Sequence, residues 1–207
     1  MFAPRSGRFV LLGAALLVLW ATALLLHWLT SVLWVATFVG ALALWAFLAW
    51  FFRDPERAIG EGIVSPADGR VLVVGVEGDR WQIGVFMHVT DVHVNRFPLD
   101  ATVLALTPAG RGFRPAYDPD SPQNVRLHYF LDTAIGLVEL VEITGIVARR
   151  LVPFVVPGDR RAKGERLGMI VMGSRVDVFL PKDRIVPLVV PGQRVLAGVT
   201  PIARERP

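Results

Sequence analysis

The segment Leu167-Gly-Met-Ile-Val-Met-Gly-Ser-Arg-Val-Asp-Val-Phe-Leu180 decides how this chain folds. An apolar run leads into Gly173 and Ser174, and after them apolar residues alternate with polar ones, as at Val176 and Val178. Alternation with a period of two is typical of a β-strand that is buried on one face. The segment therefore predicts two strands joined at a glycine, with a serine hydroxyl at the start of the second strand.

The same alternation continues through most of the chain beyond residue 60, where no strongly amphipathic helix of three turns is found. The runs that carry it are 70–75, 81–86 and 136–143. We therefore expect a mainly β fold, with residues 58–207 forming a compact antiparallel β-sandwich or barrel. Three glycine-containing turns are similar to those of lipoyl-like hammerhead domains. These turns lie in 63–71, 157–168 and 190–198.

The N-terminal quarter of the chain has a different composition. From Phe9 to Phe52 there is no Asp, Glu, Lys or Arg, and His27 is the only ionisable side chain. One helix of that length would measure roughly 66 Å, about twice the hydrocarbon core of a bilayer. The sequence therefore predicts two apolar helices, at about 9–29 and 32–52, which form a membrane anchor within residues 1–57, either as a transmembrane hairpin or as a re-entrant segment.

Basic residues flank this apolar run at both ends. Arg5 and Arg8 precede it, while Arg53 and Arg57 follow it. A helical hairpin puts both ends on one side of the membrane, and positive charge favours the cytoplasmic side. We therefore expect a protein of the cell membrane whose main domain is cytoplasmic. The formal charge is +4, without a basic run interleaved with aromatics, so we expect no binding to nucleic acid.

Two polar segments carry the reactive side chains of the β-rich region. The first is the turn Ser65-Pro-Ala-Asp-Gly69, which holds Asp68. The second, residues 86–98, contains His88, Asp91, His93, Asn95 and Arg96. Two histidines with a carboxylate and a guanidinium are typical of a reactive site. The spacing matches no strong metal-binding pattern, so we predict no metal, and a chain without cysteine has no thiolate chemistry.

Two other classes of protein use some of these features. A Ser/His/Asp hydrolase has the same residue types, but its serine normally lies in a G-x-S-x-G elbow that opens a helix, and Ser174 lacks that elbow. A membrane-anchored lipoyl-like adaptor or carrier presents a modifiable lysine at a hairpin tip. Neither Lys163 nor Lys182 lies in a Met-Lys tip. Both classes remain alternatives.

Three ordered motifs resemble those of phosphatidylserine decarboxylase proenzymes. They are Ser-Pro-Ala-Asp-Gly at 65–69, Phe-Met-His-Val-Thr-Asp-Val-His-Val-Asn-Arg-Phe-Pro at 86–98, and Gly-Ser-Arg-Val-Asp-Val-Phe-Leu-Pro at 173–181. The chain is most similar to the short form of the family with a Gly-Ser-Arg motif, which includes archaetidylserine decarboxylase-like proteins. The resemblance covers about residues 53–203.

The resemblance implies a self-processing enzyme. The bond between Gly173 and Ser174 would be the cleavage site, giving a β chain of 1–173 and an α chain of 174–207 that remain associated. Ser174 would become a covalent pyruvoyl cofactor, which forms a Schiff base with the serine amine of phosphatidylserine and supports loss of CO₂ to give phosphatidylethanolamine. The resemblance leaves open an archaeal ether-linked substrate and a homo-oligomeric state.

The resemblance also implies roles for other residues. Asp68 would belong to the self-cleavage machinery, while Asp91 and His93 would serve cleavage and proton transfer. Longer family members carry a second histidine where this chain has Arg96, so the division of labour between His88 and His93 stays open. The substrate-binding candidates are His88, Arg96, Arg111 and Arg114, and Arg175 has no assigned role.

Overall fold

The computed structural model describes residues 7–26, 32–112, 114–118, 121–145, 150–171 and 174–206. The chain divides into two compact units, Met1–Pro55 and Glu56–Pro207. The first unit is helical and the second is built from β-strands.

The first unit contains two apolar helices, α1 (Gly7–Leu26) and α2 (Val32–Phe51), of 20 residues each. At 1.5 Å per residue each helix is about 30 Å long, which matches the hydrocarbon core of a bilayer. Both are long and apolar enough to cross a membrane. The predicted helices were 9–29 and 32–52. The second ends one residue earlier than predicted, and the end of the first falls partly on residues outside the described ranges.

The two helices pack against each other as an antiparallel pair. Gly13 faces the ring of Trp45, where a methyl group would collide with the indole. The same indole N–H donates to the Val10 carbonyl at 3.2 Å. Near the other end of the pair, the rings of Trp20 and Trp34 lie 5.2 Å apart. A small residue opposite a large one allows the close approach on which helix pairs in lipid depend.

The described residues of the second unit form fourteen strands and one short 3₁₀ turn, Ser121–Gln123. The strands are β1 (Ile63–Val64), β2 (Gly69–Glu77), β3 (Arg80–Met87), β4 (Val94–Arg96), β5 (Ala101–Ala109), β6 (Arg126–Thr133), β7 (Gly136–Thr144), β8 (Leu151–Pro153), β9 (Arg160–Arg161), β10 (Arg166–Ile170), β11 (Ser174–Pro181), β12 (Ile185–Pro187), β13 (Arg194–Val195) and β14 (Pro201–Glu205).

These strands form one large antiparallel sheet and two small ones. The large sheet has eight strands in the order β13-β2-β3-β11-β7-β6-β5-β9, and the small sheets have the orders β1-β14-β12 and β4-β10-β8. Within the described residues the large sheet does not close into a barrel, which favours the sandwich over the barrel. The prediction of a mainly β, antiparallel fold with two apolar N-terminal helices is confirmed.

Strand β11 lies in the middle of the large sheet and is paired on both sides from its first residue. Ser174 is opposite Met87 at the end of β3 and opposite Thr144 at the end of β7. Because side chains alternate along a strand, Ser174 lies on the same face as Val176 and Val178, whose side chains belong to the main apolar core. The serine therefore lies at one end of the sheet, on its inner face.

The connection that enters β11 crosses between two sheets. β10 belongs to the small sheet β4-β10-β8 and ends at Ile170, and β11 begins only four residues later. Of the residues between them, Val171 donates its N–H to the Arg150 carbonyl at 3.2 Å, while Met172 and Gly173 lie outside the described residues. Ser174 is therefore the first residue of the large sheet after this crossing.

Gly69 provides a test of this packing, because it joins the Asp68 turn to β2. Its φ is 148°, and a methyl group there would collide with the backbone carbonyl of Phe86 on β3. We expect Gly69→Ala to destabilise the protein by more than about 3 kcal/mol, since neither backbone can move without breaking the sheet. Gly78→Ala is the matched control, with φ 61° and no atom within 4 Å of the added methyl group. It should cost only about 1 kcal/mol. Equal melting temperatures for the two variants would show that close packing of Gly69 against the Phe86 carbonyl does not limit stability.

Candidate active site

Ser174 is fully buried in the domain. Its hydroxyl donates to the thioether sulfur of Met87 at 3.3 Å. A thioether is a weak acceptor, so the hydroxyl is held in place without a strong competing bond. Gly173, the other half of the predicted cleavage site, lies outside the described residues.

His93 immediately precedes β4 and is also fully buried. Its backbone carbonyl accepts a hydrogen bond from Ile170 N–H at 3.3 Å, which ties it to the strand that leads toward Ser174. Its Nδ1 lies 2.9 Å from the backbone carbonyl of Asp91. Because a carbonyl can only accept, Nδ1 carries the hydrogen, and Nε2 is the basic nitrogen of the neutral ring.

Asp91 stabilises the turn that carries both histidines. Its buried carboxylate accepts the backbone N–H of His88 at 2.9 Å and the guanidinium of Arg194 at 2.8 Å. It therefore orients His93 through its backbone carbonyl, while its side chain closes the turn. His88 is exposed, with Nδ1 2.9 Å from the Thr90 hydroxyl.

Asp68 is held by three hydrogen bonds. Both guanidinium nitrogens of Arg57 donate to its two oxygens, with the bond to Oδ2 at 2.8 Å, and the backbone N–H of Ala197 donates to Oδ1 at 2.8 Å. The side chains of Arg57 and Asp68 are only 10% and 6% exposed, so this is a largely buried, bidentate ion pair. The sequence suggested Arg57 only as a basic residue that flanks the apolar run. In the structure it is the ion-pair partner of Asp68, in the predicted reactive turn.

Arg96 lies on the opposite face of β4 from Asn95. Its guanidinium donates to the Gly164 carbonyl at 3.0 Å, and its aliphatic stem packs close to Gly198. Gly198 directly follows Ala197, the backbone partner of Asp68. The structure therefore brings Asp68 and Arg96 to the same turn. Among the described contacts, neither of them bonds to Ser174.

The arginines predicted to bind phosphate lie on the loop between β5 and β6. Arg111 and Arg114 are both exposed. Asn124 holds this loop, because its amide oxygen accepts from Arg114 N–H at 2.8 Å, while its amide nitrogen donates to the carbonyls of Arg114 and Thr144. Thr144 is the β7 partner of Ser174, so the loop is attached beside the serine. No motif in the sequence indicated a role for Asn124.

Arg175, to which the sequence assigned no role, points to the other face of β11. Its guanidinium donates to both oxygens of Asp177, at 2.6 and 2.9 Å, and Gln82 donates to the same carboxylate at 2.9 Å. Burial raises the pKa of Asp177, while the hydrogen bonds from Arg175 limit the rise. Within the described residues, no group of three His, Asp or Glu side chains is arranged to hold a metal ion.

Comparison with known families agrees with this arrangement of motifs. The family model described as phosphatidylserine decarboxylase matches residues 44–203, which is most of the chain. The chain belongs to the phosphatidylserine decarboxylase family.

Curated relatives from bacteria and archaea match over a similar length. A phosphatidylserine decarboxylase proenzyme of Streptomyces coelicolor is 45% identical over 172 residues, which are 82% of this chain and 78% of the relative. A proenzyme of the same name from Streptomyces griseus is 43% identical over 83% of this chain and 80% of the relative. A Halobacterium salinarum protein, provisionally named an archaetidylserine decarboxylase proenzyme, is 45% identical over 80% of this chain and 85% of the relative.

Glu142 is a buried residue of this phosphatidylserine decarboxylase family member that no sequence motif indicated. Glu142 on β7 is fully buried, and it accepts hydrogen bonds from Asn95 Nδ2 at 2.7 Å and from the Tyr129 hydroxyl at 2.9 Å. Burial raises the pKa of Glu142 to about 7, although these two hydrogen bonds oppose the rise. It is therefore a carboxyl group that titrates near neutral pH inside the domain.

This raised pKa predicts how stability depends on pH. Between the unfolded pKa of about 4.3 and the folded value of about 7, only the folded state retains the proton. The wild type should therefore lose roughly 3 kcal/mol of stability as the pH rises through this window. Glu142→Gln has no such proton to lose, so its melting temperature relative to wild type should increase from pH 5 to pH 8. Thermal unfolding followed by circular dichroism measures this difference.

Glu139→Gln is the matched control, because Glu139 lies on the same strand but on its opposite face. Burial raises the pKa of Glu139, but hydrogen bonds and charge from His128 and Arg80 outweigh burial and lower it overall. A lowered carboxyl pKa stabilises the folded state above the unfolded pKa, so Glu139→Gln should lose stability at neutral pH. The same pH trend in both variants would contradict our assignment of Glu142.

Proposed function

We propose that this protein is a self-processing, pyruvoyl-dependent decarboxylase that converts phosphatidylserine to phosphatidylethanolamine and CO₂. The observation that carries the proposal is Ser174, a buried serine that follows glycine and begins the central strand of the sheet. Membership of the family supports the activity. The relatives are named as proenzymes, which supports a precursor that is processed.

The proposed cleavage begins at the hydroxyl of Ser174. Its Oγ attacks the carbonyl carbon of Gly173, the C–N bond breaks, and the Ser174 nitrogen takes up a proton, which converts the amide to an ester. Glycine leaves this carbonyl sterically open. A base must accept the hydroxyl proton and return it to the departing nitrogen. His93 is our candidate, because its Nδ1–H is engaged by the Asp91 carbonyl and Nε2 is its basic nitrogen.

The ester then breaks by β-elimination. A base removes the α-proton of Ser174, the Cβ–O bond breaks, and Gly173 leaves with a free carboxylate at the end of the β chain. Water hydrolyses the remaining dehydroalanine, which releases ammonia and leaves a pyruvoyl group at the start of the α chain, 174–207. The Asp68–Arg57 ion pair is our candidate for the group that stabilises the precursor during cleavage.

The surroundings of Ser174 fit a pyruvoyl group, because an uncharged carbonyl is compatible with a buried position beside a thioether. Such a carbonyl provides an electron sink for the loss of CO₂ from an attached amino acid. The protein would contribute a proton at the carbon that loses CO₂, and His93 is the candidate donor. His88, Arg96, Arg111 and Arg114 stay predictions for substrate binding. Of these, Arg111 and Arg114 are exposed, and Asn124 links the backbone of Arg114 to Thr144.

Strand pairing supports the association of the two chains after cleavage. The α chain would contain β11 to β14, of which β11 pairs with β3 and β7, β13 with β2, and β14 with β1. The cut would therefore break one covalent bond and leave these pairings intact. A chain integrated at three places in the fold is expected to remain bound.

The two apolar helices support a membrane location, which suits a lipid substrate. Arg53 and Arg57 follow the second helix, as Arg5 and Arg8 precede the first. By the positive-inside rule, we propose that the β domain faces the cytoplasm. The alternatives are less well supported. Ser174 begins a strand, unlike a hydrolase elbow, and Lys163 donates to the Gly62 carbonyl at 3.2 Å, which does not suit a carrier lysine.

The mass of the purified chain under denaturing conditions tests the proposal. We expect two products divided before residue 174, the smaller one resistant to Edman sequencing because a pyruvoyl group has no free amine. Ser174→Ala should give one intact chain, and its phosphatidylserine decarboxylation should fall below about 10⁻³ of wild type, because the cofactor cannot form. An uncut wild-type chain with full activity would overturn the proposal. Ether-linked archaetidylserine in the same assay tests the substrate backbone.

Asp68→Asn tests the role of the buried ion pair in cleavage. The amide keeps the size of the side chain but leaves the Arg57 guanidinium without a compensating charge, so we expect cleavage to slow by at least about tenfold. The fraction of intact chain is followed on denaturing gels after a pulse of synthesis. Asp132→Asn is the control, since Asp132 is an exposed residue of β6. If Asp68→Asn is cleaved at the wild-type rate, Asp68 has no role in the cleavage mechanism.

A further inference from the structure

The buried carboxyl group of Glu142 links two sheets. It lies on β7 in the large sheet, and its partner Asn95 lies on β4 in a small sheet. Its second partner, Tyr129, lies on β6 beside it. Strand β10 passes close to this group at Gly168, where a methyl group would approach the Tyr129 hydroxyl to 2.7 Å and Glu142 Oε1 to 2.8 Å. A side chain at position 168 would therefore displace the Tyr129 hydroxyl and the Glu142 carboxyl group.

The network lies next to the strands that carry the reaction. β10 runs from Gly168, beside the Glu142 carboxyl, toward Ser174, and β4 runs antiparallel to it. His93 therefore lies beyond Asn95 in the direction of Ser174. His93 immediately precedes β4 and is two residues before Asn95, so its backbone position follows from where β4 lies. Glu142 and Thr144 share the inner face of β7, because residues two apart on a strand share a face, and Thr144 pairs with Ser174.

Stability alone does not account for a carboxyl group at this position. An apolar residue of similar volume in a buried site often stabilises a protein as well as the polar group it replaces, because it avoids the cost of desolvation. The described partners of Glu142 are neutral donors, so no cation offsets that cost. The carboxyl group instead makes two directional hydrogen bonds, one from each oxygen, and these fix the position of Asn95 relative to Tyr129.

We propose that the Asn95–Glu142–Tyr129 network is a positioning device for self-cleavage, which holds β4, and with it the preceding residue His93, in register with Ser174. The inference rests on the proposed function, because it assigns the network to that cleavage step. Glu142 is thus a positioning residue that acts through Asn95 and β4. Among the described residues, Tyr129 on β6 is the titratable group in contact with Glu142, while β10 and β11 place Gly168 and Val176 beside it.

The test measures the rate of cleavage of newly made full-length chain, produced by cell-free translation into lipid nanodiscs. Glu142→Leu removes both hydrogen bonds and keeps an apolar packing group, so we expect cleavage to slow by at least about tenfold. Glu142→Gln retains an acceptor and a donor, and should cleave within about threefold of wild type at pH 6. Glu139→Gln is a change on the other face of β7, outside the Glu142 network, so its cleavage rate per folded molecule should stay within about twofold of wild type.

A pH series separates positioning from a general structural role. Glu142→Gln imitates the protonated carboxyl, so its cleavage rate should converge with that of wild type below pH 7 and diverge from it above pH 7. Circular dichroism and limited proteolysis give the folded fraction of each variant, and rates are compared per folded molecule. Wild-type cleavage by folded Glu142→Leu, or parallel pH profiles, would overturn this inference alone. A wild-type chain that never cleaves would overturn the proposed function and this inference with it.

Discussion

The pairing of β11 on both sides, beginning at its first residue, is the constraint on which the rest of this structure depends. Ser174 is fixed between Met87 and Thr144, so its position is set by two neighbouring strands rather than by the peptide bond before it. A covalent cut at that bond therefore need not move the residue that follows it. The proposed chemistry requires this, since the same position must act first as a nucleophile and later as the cofactor.

Buried charge in the β domain follows a consistent pattern with one exception. Four buried carboxylates each have a guanidinium partner, which offsets the cost of removing them from water. The pairs are Asp68–Arg57, Asp91–Arg194, Asp177–Arg175 and Glu139–Arg80. Glu142 has two neutral donors in place of a guanidinium, and its pKa is raised to about 7. Burial is the main cause of this raised pKa, and among the described contacts of Glu142 no guanidinium opposes it.

Much of this arrangement follows from local sequence, but its long-range contacts do not. The alternation after Ser174 is sufficient to predict β11, and the motif at 65–69 locates the reactive turn. The run Gly136-Leu-Val-Glu-Leu-Val-Glu-Ile143 predicts a strand equally well. It cannot say which glutamate faces the core, because Glu139 and Glu142 are three residues apart and both have apolar neighbours. That choice depends on which face of β7 meets β4, and this is settled only when the sheets pack.

Burial of Ser174 constrains the order of events in the proposed reaction. The residue has no exposed surface in the continuous chain, so the amine of a lipid headgroup cannot reach position 174 before processing. In the proposed reaction, position 174 would therefore become accessible only after the cut. The topology allows this, because β10 and β11 belong to different sheets and the proposed cut lies in the short connection between them. Cutting there releases the end of the β chain from residue 174, while β3 and β7 still hold β11 in place. The same sequence of steps that forms the reactive carbonyl would thus also free one side of it, and an uncut chain would lack both the cofactor and an accessible position 174.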